Sequence, residues 1–249
     1  MEGILGIDIG GTGIKGAIVD PKTGELLTER IKVKTPKPST PEAILEVIKT
    51  IKRKLHYTGE KIGIGYPGII KKGVASSAAN IDKAWLNYDL TTVFSKALRA
   101  KVSVINDADA AGLAEMKFGH GKRQKGKIIF LTLGTGIGSA MFVDGKIWAN
   151  SEMGHLKYKK TISEKYAGNG ARITKNQSWK VWGAELNAYL TMIDFYFSPD
   201  LIIIGGGVSK EFNAFKSFIK IKTPVVPANL QNAAGVIGAA MAANDNLFI

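Results

Sequence analysis

Short apolar runs closed by glycine or proline fill the first part of the chain. Ile4–Asp20 has the composition of a buried strand, a glycine turn and a second strand that continues over Lys15–Asp20. Pro21-Lys-Thr-Gly24 is a further turn, and the pattern over Glu25–Val33 predicts a third strand. Strands joined so tightly form an antiparallel meander, not a βαβ unit. Pro36, Pro38 and Pro41 make a stiff surface connection. Ile44, Leu45, Ile48, Ile51 and Leu55 then recur at helical spacing and predict a helix over Pro41–Leu55. Lys61–Tyr66 reads as a strand entering a Pro67-Gly68 turn, and Val102–Ile105 as a buried strand running into Asn106-Asp107 and a helix over Ala108–Phe118. Ile128–Leu133, Ser139–Val143 and Lys146–Ala149 predict a second meander with Asp144-Gly145 as a hairpin turn. A long amphipathic helix follows over Trp179–Phe197, then a strand over Leu201–Ile204 and a small-residue helix over Ala233–Ala243.

The two meanders share a detail. Gly11-Thr-Gly-Ile14, with Ala17 behind it, recurs as Gly134-Thr-Gly-Ile137 with Ala140. Glycine turns resemble one another by chance, but a shared place in a shared supersecondary unit favours duplication. Two equivalent lobes, each opening on a glycine hairpin, would clamp a phosphate or nucleotide.

Composition sets broad limits. The chain has 249 residues, 45% hydrophobic and 22% charged, as expected of a globular protein with a sizeable core. No apolar run is long enough to span a bilayer, and no signal-peptide pattern is seen, so the expected location is the cytoplasm. The absence of cysteine excludes disulfides and thiolate metal sites. The formal charge of +13 biases the surface toward anions, either for solubility or for a polyanion such as nucleic acid, an acidic membrane or a phosphate polymer. Charge alone does not choose among these.

The motifs narrow the choice. Gly11-Thr-Gly-Ile-Lys-Gly16 matches a dinucleotide fingerprint in letters only, because a strand follows it where a helix is required. Asp8, inside the preceding apolar strand, would repel a pyrophosphate without a cation between them, which suggests a Mg²⁺–phosphate site. Gly10, Gly11, Thr12 and Gly13 then present backbone N–H groups to phosphate oxygens, and Lys15 adds charge. By the same reasoning Thr132, Gly134, Thr135 and Gly136 grip the distal phosphates. Gly205-Gly206-Gly207 permits flat approach of a ligand, or is simply a strand-to-helix turn. Asp109 suits a helix N-terminus, whereas Asp107 is placed to accept the proton of an attacking hydroxyl, with Asn106 beside it. Glu152 and His155 fit hydrogen bonding to polyol hydroxyls better than zinc, and Asn80 serves likewise. Trp179 and Trp182 share a helix face as core packing, or border an anion track with Arg172, Lys175 and Lys180.

Taken in order, Asp8-Ile-Gly-Gly-Thr-Gly-Ile-Lys-Gly16, Asn106-Asp-Ala-Asp-Ala-Ala-Gly112, Leu131-Thr-Leu-Gly-Thr-Gly-Ile-Gly-Ser-Ala140, Glu152-Met-Gly-His155 and Ser198–Lys210 resemble the ROK sugar kinases, in particular the polyphosphate glucokinase and polyphosphate/ATP glucomannokinase branch. The resemblance runs through Thr223–Ala228 to the C-terminal helix. It implies an α/β fold of the actin-like, hexokinase/ribonuclease H-like type, with two lobes around a deep cleft. The lobes expected are residues 1–106 with 234–249, and residues 107–233. It implies Asp107 as base for the glucose 6-hydroxyl, and Asn80, Asn106, Glu152, His155 and Glu164 as sugar contacts. Gly11, Thr12, Lys15, Thr132, Gly134, Thr135, Gly136 and Gly206 map to the phosphoryl-donor side.

The zinc motif of typical members is absent, as in the polyphosphate branch. A further branch signature is partial: Arg172-Ile173 stands for Lys-Glu and Gly183 for Ala, while Ser178, Trp179 and Trp182 remain. The expected activity is Mg²⁺-dependent phosphorylation of glucose, and of mannose as a second acceptor, with polyphosphate or ATP as donor. The expected assembly is a homodimer, with neither nucleic acid nor membrane as partner. Alternatives are a strictly ATP-dependent hexose or N-acetylhexosamine kinase, and a sugar-sensing or nucleic-acid-binding protein. The sensor would need a helix-turn-helix ahead of the first strand, and nucleic-acid binding leaves Asp8, Asp107, Glu152 and His155 unexplained.

Overall fold

The computed structural model describes residues 3–79 and 81–247. The first strands are β1 (Ile4–Ile9), β2 (Gly13–Val19) and β3 (Ile31–Lys34). The third is shorter than its apolar pattern predicted, because Thr28 Oγ1 takes the Ile18 N–H at 3.1 Å and interrupts the ladder. Only the Val19–Leu26 bridge precedes the interruption. Helix α1 (Pro41–Lys54) starts where Thr40 accepts from Ala43 N and Pro41 occupies the first turn. It buries Ile44, Ile48 and Ile51.

After β4 (Lys61–Tyr66) come the short hairpin strands β5 (Ile70–Lys71) and β6 (Val74–Ala75), then α2 (Leu90–Leu98), β7 (Lys101–Asn106) and α3 (Asp107–Phe118). Helix α2 is not among the elements expected from the sequence, although Asp89 caps it through Thr92 N and Leu90, Phe94 and Leu98 form its buried stripe.

The second meander follows as β8 (Lys127–Leu133), β9 (Ile137–Val143) and β10 (Lys146–Trp148). Beyond it lie β11 (Lys157–Tyr158), β12 (Thr161–Ile162), α4 (Glu164–Ala167), α5 (Asn169–Thr174) and α6 (Trp179–Phe197). Ser178 caps α6, and Ser198 ends it in a left-handed conformation just before Pro199. The last elements are β13 (Leu201–Gly205), α7 (Phe212–Phe215), β14 (Val225–Pro227) and α8 (Ala234–Asn244).

The chain divides into two units, residues 1–114 with 233–249 and residues 115–232. The passage between them falls inside α3, because its first turns pack closely on α8: a Cβ on Gly238 would lie 1.6 Å from Ala110 O. The first unit carries a five-stranded sheet in the order β3-β2-β1-β4-β7, and the second one in the order β10-β9-β8-β13-β14. Each sheet joins an antiparallel meander to parallel strands. In the first unit α8 lies against the sheet at backbone contact, with Gly63 and Gly6 facing Ala239 O and Val236 O. In the second, Trp182, Leu186, Tyr189, Leu190 and Ile193 of α6 are wholly buried with Ile129, Leu131, Ile202 and Ile204 of the sheet.

Candidate active site

In the first unit the Gly10–Gly13 turn joins β1 to β2, and Gly10 N donates to Gly13 O at 3.2 Å. Asp8 and Lys15 face each other across the two strands, and Lys15 Nζ donates to Asp8 Oδ2 at 2.9 Å. The lysine expected to serve phosphate is therefore already paired with the carboxylate expected to serve a metal. Asp8 Oδ2 is so engaged, and the α8 N-terminus lies behind it, Gly235 being the residue in contact. Among the described residues no group of three or more His, Asp or Glu side chains forms a ready-made metal cage. Mg²⁺ needs none where substrate phosphates and water complete its shell, so one carboxylate with the phosphates of a donor fits this chemistry.

The Gly11 face is open, with nothing within 4 Å of a Cβ placed there, and its φ lies outside the left-handed region. Neither packing nor backbone conformation requires glycine at this position. Beside the turn is a cavity of about 150 Å³ lined by Gly10, Gly11, Thr35, Lys37, Ser39 and Pro67 among others. Thr35 Oγ1 donates to Gly10 O at 2.5 Å and holds the proline-rich connection against the turn. That connection is thus part of the site's wall and not a plain surface link.

Asn106 ends β7 and caps α3. Its Oδ1 accepts from Ala108 N at 2.8 Å and Asp109 N at 3.0 Å, while Nδ2 donates to Gly68 O at 3.1 Å. The cap assigned to Asp109 from sequence therefore belongs to Asn106, and Asp109 is fully buried. Asp107 is the first residue of α3 and only partly buried, with Oδ1 accepting from Ala108 N at 2.8 Å. Asn106 fixes the strand-to-helix corner from which Asp107 projects. Asn80 lies outside the described residues.

The second unit repeats the glycine turn between β8 and β9. Gly134 N donates to Gly136 O at 3.0 Å, and Gly134, like Gly11, has an open face and no left-handed φ. Gly136 faces the Glu164 carboxylate, which accepts from Ile137 N at 3.3 Å. Gly154 packs on Ile137, and Ser139 Oγ bonds both Ser151 O and Met153 N, tying the Glu152–His155 segment to β9. Glu152 Oε2 lies 3.5 Å from His155 Nδ1. Burial pushes the Glu152 carboxyl above its usual range; His155 opposes the rise and Glu164 adds to it.

Glu152, His155 and Glu164 thus form one acidic and polar group beside the Thr132–Gly136 turn. Thr132 lies near the end of β8 and Thr135 within the turn, and Gly170 N donates to Gly134 O at 2.8 Å from α5. Of the glycine triplet, Gly205 faces the Phe130 ring, and Gly206 combines φ 81° with close contact to the Leu133 backbone. Only Gly207 has an open face. Trp182 is buried, while Trp179 stacks on Phe215 and carries the Arg172 guanidinium 3.9 Å above its ring.

Two five-stranded sheets, each joining a meander with a glycine turn to parallel strands, belong to the actin-like α/β class, as the solved relatives bear out. The ROK family profile matches residues 4–174, and the chain belongs to the ROK family. It is 41% identical over 239 residues to a polyphosphate glucokinase of Mycobacterium tuberculosis, covering 96% of this chain and 90% of that protein. The inorganic polyphosphate/ATP-glucomannokinase of Arthrobacter sp. strain KM is 45% identical, with a TM-score of 0.93 over 98% of this chain and 99% of that one. A ROK glucokinase from Streptomyces griseus, solved with glucose and AMPPNP, is 25% identical with a TM-score of 0.82 over 98% and 99% of the two chains.

Proposed function

We propose that this protein is a polyphosphate-dependent glucokinase that transfers the terminal phosphoryl group to the 6-hydroxyl of glucose, with ATP as a second donor and mannose as a second acceptor. The observation that carries the reading is the pair of open glycines, Gly11 and Gly134, at equivalent turns where the fold itself demands no glycine. A backbone kept bare in this way lets phosphate oxygens reach its N–H groups. Similarity to the mycobacterial and Arthrobacter kinases supports polyphosphate as the donor and glucose as the acceptor.

Asp107 is assigned as the base: its carboxylate takes the 6-hydroxyl proton as that oxygen bonds to the terminal phosphorus. The bond to the next phosphate breaks, and the shortened chain leaves with the negative charge. Asn106 holds Asp107 in place and keeps one amide hydrogen for the sugar, since its other polar groups are engaged. Asn80, Glu152, His155 and Glu164 are assigned to the remaining sugar hydroxyls. Gly10–Gly13, Thr132, Gly134–Gly136 and Gly205–Gly207 are assigned to the donor. Asp8 would hold Mg²⁺ through water, the ion supplying charge neutralisation at the terminal phosphates. A cytoplasmic homodimer supplying glucose 6-phosphate to glycolysis completes the reading.

The test is a coupled glucose 6-phosphate assay with polyphosphate or ATP as donor and glucose or mannose as acceptor. Polyphosphate should support turnover with both sugars, and activity with ATP alone would leave the strictly ATP-dependent alternative. Asp107→Asn should keep the fold and glucose binding and lose about 10²–10⁴-fold in turnover. Near-normal turnover in that variant would remove Asp107 from the mechanism.

A further inference from the structure

The pairing of Lys15 with Asp8 leaves the first glycine turn in need of another cation. The register supplies candidates. Lys15 lies opposite Lys32, and Gly13 opposite Lys34. Directly opposed residues of an antiparallel pair point to the same face, so Lys15, Lys32, Gly13 and Lys34 share one side of the sheet. The Lys32 side chain runs across Gly13, where a Cβ would meet its Cε at 2.7 Å and its Cγ at 3.4 Å. Lys37, on the connection after β3, lines the cavity with Gly10 and Gly11.

Three further facts bear on these lysines. Strand β3 is the edge of its sheet, so no strand covers its outer side. Lys32, Lys34 and Lys37 are all exposed. Among the described residues none of the three has a carboxylate partner. Like charges placed opposite or beside one another in a sheet are destabilising. Asp8 answers Lys15, whereas Lys32, opposite it, and Lys34, one side-chain repeat further along, have no carboxylate among the described residues to answer them.

We propose that Lys37, Lys34 and Lys32 form a cationic strip on which the polyphosphate chain lies as it leaves the glycine turn. Lys37 meets the phosphate held at Gly10–Gly11, and Lys34 and then Lys32 meet successive parts of the polymer along the β3 edge. Residues two apart on a strand are ~6.6 Å apart, so the strip follows an extended ligand and not a compact one. The adenosine of ATP carries no charge for Lys34 and Lys32 to meet. The strip rests on the polyphosphate-donor reading above and adds a path to it.

The experiment compares Lys32→Met/Lys34→Met with a control of equal charge loss, Lys54→Met/Lys96→Met, which lies on the exposed ends of α1 and α2. Long-chain polyphosphate and tripolyphosphate serve as donors at saturating glucose, with thermal melts to check folding. The strip variant should raise KM for long-chain polyphosphate by about tenfold, with a smaller effect on tripolyphosphate and glucose KM within about twofold. Its polyphosphate KM should also depend less steeply on salt than that of the unaltered protein. An unchanged KM overturns the strip, as does an equal rise in the control or an equal rise for both donors. If the unaltered protein makes no glucose 6-phosphate from polyphosphate, the donor reading itself fails and takes the strip with it. Lys37→Met should raise KM for both donors, and Lys37→Arg should restore most of the loss. A rise in glucose KM instead would move Lys37 to the acceptor side.

Discussion

Glu152 shows how much a single side chain is altered by its place in the fold. Its carboxyl is held above the usual carboxylate range chiefly by burial, against the pull of His155 and with a push from Glu164. Because the folded state binds this proton more tightly than the unfolded one, its contribution to stability is fully present below the unfolded pKa. It is lost as pH rises through the folded value. With Glu152 in the proposed role activity runs the other way: protonation would remove an acceptor for a sugar hydroxyl, so glucose KM should rise on the acid side at a pH above the ordinary carboxylate range. Glu152→Gln should flatten that limb and raise KM throughout, as read from KM–pH profiles. Such residues stood out in the sequence as candidates, since a carboxylate within an apolar strand, or a Glu–His pair around a glycine, is unusual. Their partners did not. That Lys15 is bound to Asp8 depends on strand register, whereas Asn106 as cap of α3 carries a local signal, an Asn directly before the helix, that the reading of Asp109 overlooked.

Elements with a strong period or a capping signal were read well. The helix over Trp179–Phe197 has its predicted limits, and Ser178 supplies its start. Strand β3 fell short because the Thr28 side chain takes a ladder N–H at the polar run Thr28-Glu-Arg30, where the apolar pattern also lapses. The short helices α4 and α5 carry Glu164 and support the second glycine turn, yet each is too brief to show a period. Glycines divide at this scale into two kinds. Gly63 faces Ala239 O at 1.7 Å from where a Cβ would sit, so Gly63→Ala should cost about 3 kcal/mol or more by forcing α8 off the sheet. Gly134→Ala meets nothing, so its melting temperature should stay within a few degrees of the parent while donor KM rises. Thermal melts run beside donor kinetics on the two variants separate structural from functional glycine.

Across the whole molecule the excess of 34 Lys and Arg over 21 Asp and Glu was visible at once, but its sign told nothing of its location. The ladder on β3 gives part of that charge an address. Polyphosphate use should weaken steeply as salt is added and ATP use should weaken less, because a polymer meets many exposed cations at once. Initial rates over a salt series with each donor check this, and equal responses would count against an extended path.

The division into units was harder to read than either glycine turn, since it is set by contacts between residues far apart in sequence. One consequence concerns how the protein can be rebuilt. Residues 115–232 are a single uninterrupted stretch, whereas the other unit is assembled from two pieces that flank it. In genetic terms the second unit is a cassette. One exchange of that segment with a relative moves Gly134, Gly136, Glu152, His155 and Glu164 together, in their own framework. It leaves Asp107, the first glycine turn and the lysines of β3 untouched, so each exchange carries one share of the donor groups and one share of the sugar groups together.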